Sequence, residues 1–524
     1  FTVDYCYRIS DAPKTYQEAM SSDDSQKWQI AMEEEIQALQ ENETFELVVL
    51  PESRNLVGGR WVYAIKSGPN GEEKYKARYV AKGYSQVPEI DYQETFSPTA
   101  KITSVRILMQ IAAQYNFTVH QMDVKTAFLN APIDCELYVE QPEGFVMRGD
   151  DGKNLVLKLK KSLYGLKQSG RNWNSVLHSY LSIEGFNQSK SDNCVYVKTT
   201  EKCVTFLIIW VDDIIVASNC LESLIEVKRN LSNRFQMKDL GVLSWFLGIE
   251  FKCEKGEIRM SQTKYIEKIL CRFKMGNCKP RSSPCELSLN KASSEESRPV
   301  DSRLYREIVG SLVYIMTSTR PDLCYSVSKL SQYLSAPSAL HLNTAKHVLR
   351  YLKGTSDKGL VFRKVAQPLS LIGFCDADWG SSDDRRSITG YCFQLSKDGP
   401  LISWKSRKQP TVALSTCEAE YMSLSSAIQE AKFLLQLLND FQVESSNPVS
   451  LYCDNQGAIA LAKNPVQHQR SKHIDIRYHY IRQEIERGFV TVKYVSSSNN
   501  VADIFTKALS GQRVKVFIPN VFGI

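Results

Sequence analysis

The stretch from Thr205 to Ser218 reads TFLIIWVDDIIVAS and places two adjacent carboxylates, Asp212 and Asp213, between two apolar, β-branched runs. Runs of this length and composition predict two strands that are buried on both faces. Paired as a hairpin, the strands would present both aspartates at the turn. Adjacent buried carboxylates repel each other, and a hard divalent cation such as Mg²⁺ or Mn²⁺ removes that cost. A water-exposed Asp-Asp turn without a metal is the alternative that this stretch alone leaves open.

Other segments carry motifs that agree with a metal-dependent site. They are VHQMDVKTAFLN (residues 119–130), which contains Asp123, and KLKKSLYGLKQSGRNW (residues 158–173). Together with WVDD (residues 210–213), they resemble the palm motifs of the reverse transcriptase of copia-type LTR retrotransposons (Pseudoviridae). The resemblance extends from about Pro13 to Leu509. It implies an α+β and α/β multidomain protein, in which a right-hand (fingers, palm and thumb) reverse transcriptase precedes a connection region and an RNase H-like mixed-sheet domain.

The resemblance also assigns residues to a polymerase site. It implies that Asp123, Asp212 and Asp213 hold two Mg²⁺ or Mn²⁺ ions against the primer 3′-hydroxyl and the nucleotide triphosphate. An aromatic residue at position 128 is the one that blocks a ribose 2′-hydroxyl, with core packing as its alternative role. Cationic side chains bind phosphate oxygens, although an exposed basic hairpin that contacts only template backbone is the alternative. The implied nucleotide-binding residues are Lys66, Arg78, Phe128 and Gln168.

A second set of carboxylates lies near the C-terminus, at strand ends and on a helix. From Leu369 onward the pattern predicts three strands, a helix, a strand, helices, a strand and a final helix. This order resembles an RNase H domain, which binds two Mg²⁺ ions. The four implied ligands are Asp376, Glu418, Asp454 and Asp503. Asp378 and Glu420 lie two residues after the first two of these, so the assignment within each pair stays open. His473 and His479 are predicted to pack or to contact a duplex rather than to bind zinc.

The sequence divides into six predicted segments. They are an acidic connecting segment with a helix (1–48), the reverse transcriptase (49–280), a linker (281–300), connection helices (301–368), the RNase H-like domain (369–510) and a divergent tail (511–524). In the first segment, Glu33–Glu35 are predicted to form a solvated helix face. In the connection helices, Lys346, Arg350 and Lys353 are spaced i, i+4, i+7 and predict one basic face, suited to a nucleic-acid duplex or simply solvated.

Charge and cysteine content fit a nucleic-acid-binding protein of a reducing compartment. The 524 residues carry +7 in total, but residues 1–50 contain eleven acidic and three basic side chains, so residues 51–524 carry +15. A basic body favours polyanions such as RNA and DNA. The fourteen cysteines form no C-x-x-C pair, which predicts free thiols in an intracellular protein. No apolar run is long enough to cross a bilayer, so no membrane partner is expected.

These observations predict an RNA-directed DNA polymerase with RNase H activity. Its expected partners are an RNA template, a DNA primer, the RNA:DNA hybrid, dNTPs and the integrase of the same polyprotein, in a cytoplasmic virus-like particle or the nucleus. Because the chain lacks an initiator Met, we expect a fragment of a longer polyprotein. Trp210, Ala131 and Leu342 depart from the usual motif residues Tyr, Gly and Trp. The alternatives are a catalytically decayed nucleic-acid-binding relic and a structural polyprotein fragment.

Overall fold

A computed structural model of the chain describes residues 12–67, 73–150, 152–286, 298–381, 384–443, 448–463 and 475–524, with the backbone alone at 66–67 and 475–479. The predicted linker at 281–300 therefore lies largely outside the described residues, and His473 lies outside them. The chain divides into two compact units. The first comprises Phe1–Ala100, His120–Gln188 and Asn193–Gly241, and the second comprises Lys101–Val119, Ser189–Asp192 and Val242–Ile524.

The helices, numbered along the chain, are α1 (Tyr16–Ser21), α2 (Ser25–Glu41), α3 (Ile102–Tyr115), α4 (Ser169–Ile183), α5 (Leu221–Arg234), α6 (Thr263–Arg272), α7 (Ser302–Ser318), α8 (Cys324–Ser331), α9 (Ala339–Lys353), α10 (Thr416–Asp440), α11 (Gln456–Lys463), α12 (Asp475–Glu486) and α13 (Gly511–Phe522). Short 3₁₀ helices span Gly83–Ser85, Ala127–Asn130, Pro321–Leu323 and Val501–Phe505. The strands are β1 (Phe45–Val49), β2 (Leu56–Val57), β3 (Gly59–Ser67), β4 (Glu73–Ala81), β5 (Thr118–Val124), β6 (Tyr138–Val139), β7 (Leu155–Leu159), β8 (Asn187–Gln188), β9 (Val195–Thr199), β10 (Val204–Trp210), β11 (Asp213–Ser218), β12 (Met237–Val242), β13 (Trp245–Phe246), β14 (Ile249–Glu254), β15 (Glu257–Ser261), β16 (Gly359–Arg363), β17 (Ile372–Asp378), β18 (Ile388–Gln394), β19 (Leu401–Lys408), β20 (Val449–Cys453) and β21 (Val490–Tyr494).

The motif at residues 205–218 forms the predicted hairpin. Strands β10 and β11 pair antiparallel with Trp210 opposite Asp213, so Val211 and Asp212 form the turn. Successive side chains of both strands are buried, which means that both faces of this sheet are covered. The strand order is β12-β5-β11-β10-β9-β8. This order places β5, the strand that carries Asp123, directly beside β11.

Helix α2 packs against the two-stranded antiparallel sheet β3–β4. Its apolar residues recur at helical spacing, so Trp28 and Met32 lie on one face and share a core with Tyr79 of β4. Glu35 lies seven residues after Trp28 and is therefore on the same face. Its side chain is buried. The prediction that Glu33–Glu35 form a solvated face is wrong at Glu35.

In the second unit, a five-stranded sheet has the strand order β19-β18-β17-β20-β21. Strands β17, β18 and β19 are antiparallel, whereas β17, β20 and β21 are parallel. Parallel neighbours need crossover connections. The chain passes through α10 before it forms β20 beside β17, and α11 and α12 lie between β20 and β21 in the sequence. The element order agrees with the prediction, except that the last element is the 3₁₀ helix Val501–Phe505.

Helices α6, α7, α8 and α9 share one hydrophobic core. Two side chains of the predicted basic face on α9 bind backbone instead of remaining free. Arg350 Nε donates to the Lys279 carbonyl at 2.8 Å, and Lys353 Nζ donates to the Gly276 carbonyl at 2.5 Å. These bonds hold the segment after α6 against α9. Lys346 and Arg350 are half-buried and Lys353 is exposed, and contact of these side chains with a nucleic-acid duplex stays a prediction.

The C-terminal residues, predicted as a divergent tail, form the amphipathic helix α13. Its buried face consists of Val514, Phe517, Val521 and Phe522. Val514 enters the core that α6 to α9 share. The end of the chain is therefore a packed part of the second unit.

The described residues also bear on two compositional observations. Each cysteine among them is a free thiol. None of the helices in this part of the chain combines the length and the apolar character that crossing a membrane requires.

Candidate active sites

The first carboxylate centre lies where β5 meets the β10–β11 turn. The Val124 N–H donates to the Asp212 carbonyl at 2.9 Å, so Asp123 at the end of β5 and Asp212 in the turn are near neighbours. Asp213 follows at the start of β11, and its Oδ1 accepts a hydrogen bond from Gln121 Nε2 at 3.2 Å. All three aspartates are half-buried. The sheet therefore joins carboxylates from two separate parts of the sequence at one edge.

The turn that carries these aspartates has a strained backbone. Val211 has φ +56°, which is an outlier for a β-branched residue. The buried Trp173 of α4 donates from Nε1 to the Val211 carbonyl at 2.7 Å. Its ring also packs edge-on against Phe235, with the ring centroids 5.2 Å apart. The sequence analysis did not assign this role to Trp173, although the residue closes the GRNW motif.

Tyr164, which the sequence analysis also did not select, lies between predicted site residues. Its ring meets Phe128 edge-on with the centroids 4.9 Å apart, and the guanidinium carbon of Arg78 is 4.5 Å from its centroid. Burial raises the pKa of Tyr164, and the negative charges of Asp212 and Asp123 raise it further, whereas Arg78 lowers it. The structure thus brings Arg78 and Phe128 together through an aromatic ring close to two of the aspartates.

Of the other two predicted nucleotide-binding residues, the structure describes the side chain of Gln168 alone. Lys66 lies opposite Lys74 on the β3–β4 hairpin, and its side chain is outside the described part of the chain. Gln168 is fully buried. Its Nε2 donates to the Asp91 carbonyl at 2.8 Å, and its Oε1 accepts from Gln86 Nε2 at 3.0 Å. Its amide is therefore engaged inside the protein, and contact of Gln168 with a nucleotide stays a prediction.

The second carboxylate centre lies at the edge of the five-stranded sheet. Asp376 on β17, Asp454 directly after β20 and Asp503 in a 3₁₀ helix each offer an oxygen within 4.8 Å of the others. Strands β17 and β20 are adjacent and parallel, so their carboxyl ends meet at this edge. A second group, formed by Glu420, Cys453 and Asp454, meets the same distance limit and shares Asp454.

The carboxylate that α10 directs to this centre is Glu420 and not Glu418. Residues two apart on a helix are rotated by about 200°, so only one of them can face the sheet. Glu418 instead caps the helix. Its N–H donates to Ser415 Oγ at 3.1 Å, and its Oε2 accepts from the Leu414 N–H at 2.7 Å. The sequence carries the signal for this role, because Ser415 and Glu418 have the S-x-x-E spacing of a capping box, although the carboxylate accepts from the Leu414 N–H.

The electrostatics of the second centre favour a bound cation. Burial raises the pKa of Asp376, Glu420 and Asp503, and repulsion from neighbouring carboxylates adds to the effect. The pKa of Asp503 is raised to about 6. Lys507 Nζ opposes the rise from 2.9 Å of Asp503 Oδ1 and 3.8 Å of Asp376 Oδ2, and Thr506 Oγ1 donates to Asp376 Oδ2. A divalent cation would relieve the remaining repulsion.

Two further residues singled out in this part of the sequence are Asp378 and His479. Asp378 lies two residues beyond Asp376 and is half-buried, and it belongs to neither group of clustered ligand atoms. Of His479 the structure describes the backbone alone, as part of α12. Among the described residues, the aspartates of the first centre do not form a group within 4.8 Å either. All-oxygen carboxylate sites suit Mg²⁺ or Mn²⁺, so both centres have donor sets that fit a divalent cation.

Comparison with known proteins finds a family that matches part of the chain and relatives that match most of it. The family described as reverse transcriptase (RNA-dependent DNA polymerase) matches residues 42–287. The Retrovirus-related Pol polyprotein from transposon RE1 of Arabidopsis thaliana is 40% identical over 501 residues, which are 95% of this chain and 34% of that protein. A putative transposon Ty5-1 protein of Saccharomyces cerevisiae is 34% identical over 313 residues, which are 59% of this chain and all (100%) of that protein.

Among solved structures, LC11-RNase H1 isolated from compost matches 26% of this chain and 92% of its own, with 16% identity and a TM-score of 0.22. The chain spans about a third of the length of the RE1 polyprotein. Because its sequence matches the reverse transcriptase family and covers a transposon relative completely, the chain belongs to the reverse transcriptase family of retrotransposon Pol polyproteins.

Proposed function

We propose that this chain synthesises DNA on an RNA template, and that its second carboxylate centre cleaves the RNA strand of the resulting RNA:DNA hybrid. The observation that carries the proposal is the adjacency of Asp123 and Asp212 at a hairpin turn, close to the ring that contacts Arg78 and Phe128. Membership of the reverse transcriptase family supports the class of reaction. The proposal concerns the part of the polyprotein that this chain represents.

In the polymerase site, Asp123, Asp212 and Asp213 would hold the divalent cations. Bound cations would make the primer 3′-hydroxyl a better nucleophile and neutralise charge on the leaving pyrophosphate. Arg78 supplies a permanent positive charge for the triphosphate, because a guanidinium stays protonated and can donate to two phosphate oxygens. Phe128 excludes a ribose 2′-hydroxyl by its bulk, so the site selects deoxynucleotides.

In the second site, the residues that would hold cations are Asp376, Glu420, Asp454 and Asp503. Bound cations would activate a water molecule and stabilise the leaving 3′ oxygen of the RNA. Lys507 reduces the repulsion among the carboxylates and so keeps them close enough to share a cation. The substrate is a hybrid duplex, which is recognised by its shape and backbone rather than by its bases.

Several finer assignments belong to the same proposal. The six-stranded sheet with its hairpin corresponds to a palm, β3–β4 with α2 to fingers and α6 to part of a thumb. The cation is Mg²⁺ or Mn²⁺, with two ions in each site. The partners are the RNA template, the DNA primer, dNTPs and other products of the same polyprotein, and the location is a virus-like particle in the cytoplasm or the nucleus. The net positive charge of residues 51–524 supports a nucleic-acid substrate.

The decisive test is dNTP incorporation on a poly(rA)/oligo(dT) template by the purified chain in Mg²⁺ and in Mn²⁺. The matched control is the double variant Asp212→Asn/Asp213→Asn, which keeps the shape of the turn but removes its charge. We expect incorporation by the wild-type chain alone. Equal incorporation by both proteins would refute the metal assignment, and hybrid binding without DNA synthesis or cleavage by the wild type would favour a nucleic-acid-binding relic.

A further inference from the structure

The segment between β7 and α4 contributes a residue whose role follows from its contacts. We propose that Tyr164 is a positioning residue of the polymerase site, whose ring holds the guanidinium of Arg78 and the ring of Phe128 in fixed relation. Recognition of the triphosphate charge and selection of the sugar are thereby coupled through one side chain. This inference rests on the proposed polymerase function.

The two contacts of the ring are of different kinds. The guanidinium carbon of Arg78 lies 4.5 Å from the ring centroid, within the range of a cation–π interaction. Phe128 meets the ring edge-on at 4.9 Å, which is a favoured aromatic geometry. Because both contacts use the ring and neither needs the hydroxyl, the aromatic surface of Tyr164 is the functional feature.

The backbone fixes the ring relative to Arg78. The Ala81 N–H donates to the Tyr164 carbonyl at 2.8 Å, which fastens Tyr164 to β4 three residues beyond Arg78. The next residue, Gly165, has φ +92°, and a Cβ at this position would lie 2.1 Å from the Ala81 carbonyl oxygen. Only glycine permits this close approach. The segment that carries the ring is therefore fixed to the strand that carries the guanidinium.

A buried carboxylate accounts for the need to hold Arg78. Burial raises the pKa of Glu35, and the positive charges of Arg78 and Lys76 oppose the rise, so the guanidinium acts on Glu35 electrostatically. The backbone N–H of Tyr79, the residue after Arg78, donates to Glu35 Oε1 at 3.3 Å. The charge of Arg78 thus acts on an internal acid, while its guanidinium contacts the ring of Tyr164. Without the ring, attraction to Glu35 would compete with binding of the triphosphate.

The test is a double-mutant cycle with Tyr164→Leu and Arg78→Lys, read as KM for dTTP and kcat on poly(rA)/oligo(dT). We expect Tyr164→Leu to raise KM about tenfold with little change in kcat, and to lower the preference for dTTP over UTP. Tyr164→Phe should restore KM to within about threefold of the wild type. In the Arg78→Lys background, Tyr164→Leu should raise KM by less than about threefold, because the two residues act together.

An unchanged KM in Tyr164→Leu, additive effects in the cycle, or equal damage by Tyr164→Phe would overturn the inference. Should Tyr164→Leu fail to fold, phenylalanine analogues with increasing ring fluorination at position 164 keep the shape and weaken the cation–π contact, so KM should rise stepwise with fluorination. A flat response would contradict the role of the ring. Failure of the wild type to synthesise DNA would refute the proposed function itself, which makes the two failures distinguishable.

Discussion

The two carboxylate centres both bring several negative charges close together, but they differ in the elements that carry the carboxylates and in their burial. In the first centre, adjacent Asp212 and Asp213 sit on one turn beside Asp123, and all three are half-buried. In the second centre, the carboxylates come from two strand ends, a helix and a 3₁₀ helix, and Asp376 and Asp503 are buried. Water can screen the charges of the first centre, whereas in the second centre the positive charge of Lys507 offsets part of the repulsion.

This difference determines how easily each centre is recognised from sequence. The first centre follows from a hairpin motif, because strand pairing in a two-residue turn leaves little choice of position. To predict the second centre, one must choose between Asp376 and Asp378 and between Glu418 and Glu420. The two members of each pair are the same residue type and differ only in the direction in which their side chains point. In the second centre, burial raises the pKa of the Asp503 carboxyl to about 6.

The largest effect should separate the two centres completely. Asp213→Asn should reduce DNA synthesis by about 10²–10³-fold or more while hybrid cleavage persists, because it removes charge from the first centre alone. Both activities should be measured on one preparation, so that cleavage reports that the chain is folded. Substantial polymerisation by this variant would show that the turn is not the metal site.

A smaller effect should identify the helical ligand of the second centre. Glu420→Gln should reduce hybrid cleavage by about 10²-fold, because it removes a carboxylate next to Asp376 and Asp454. Glu418→Gln is the matched control two residues away. It should stay within about threefold of wild-type cleavage, because glutamine also fits a capping box. The reverse ranking of the two variants would contradict the geometry of α10.

The pH dependence of cation binding should show the burial of the second centre. The folded pKa of Asp503, about 6, exceeds its ordinary value of 3.8. The folded chain therefore binds this proton more tightly, and the carboxyl costs stability as pH rises from about 4 to about 6. A cation must displace the proton below pH 6, so calorimetric affinity for Mn²⁺ should fall by up to about tenfold per pH unit there. Equal affinity at pH 5 and pH 7.5, in wild type and Asp503→Asn alike, would exclude this coupling.

The smallest effect concerns the basic residues of α9. Arg350→Ala should lower the free energy of unfolding by about 1–2 kcal/mol, because it removes the bond to the Lys279 carbonyl. Affinity for a hybrid duplex should change by less than about twofold, since the guanidinium is engaged in the protein. Lys346→Ala, measured beside it by fluorescence anisotropy at several salt concentrations, reports the contribution of the neighbouring charge. A large loss of affinity in Arg350→Ala with unchanged stability would instead show that this residue contacts the nucleic-acid duplex.

Three features of the structure could not be predicted from the sequence, for identifiable physical reasons. Gln168 lies in a motif with basic and small residues, but its amide is satisfied by internal partners, and burial of that kind depends on distant segments such as the one containing Gln86. Glu35 stands in a run of acids, yet its position in the helical period places it on the apolar face of α2. Tyr164 was missed because its importance lies in contacts with two separate elements, β4 and the 3₁₀ helix Ala127–Asn130.

The features of this protein that follow from its sequence alone are the secondary-structure elements with a local, periodic pattern. The apolar runs around Asp212 and Asp213 specify a hairpin, and the alternation of strands and helices after Leu369 specifies a mixed sheet, because pairing and burial follow directly from side-chain period. Which of two similar residues faces a site depends instead on tertiary packing. The choice of Glu420 over Glu418, the burial of Gln168 and the place of Tyr164 depend on packing between segments distant in sequence, and no local pattern contains that information.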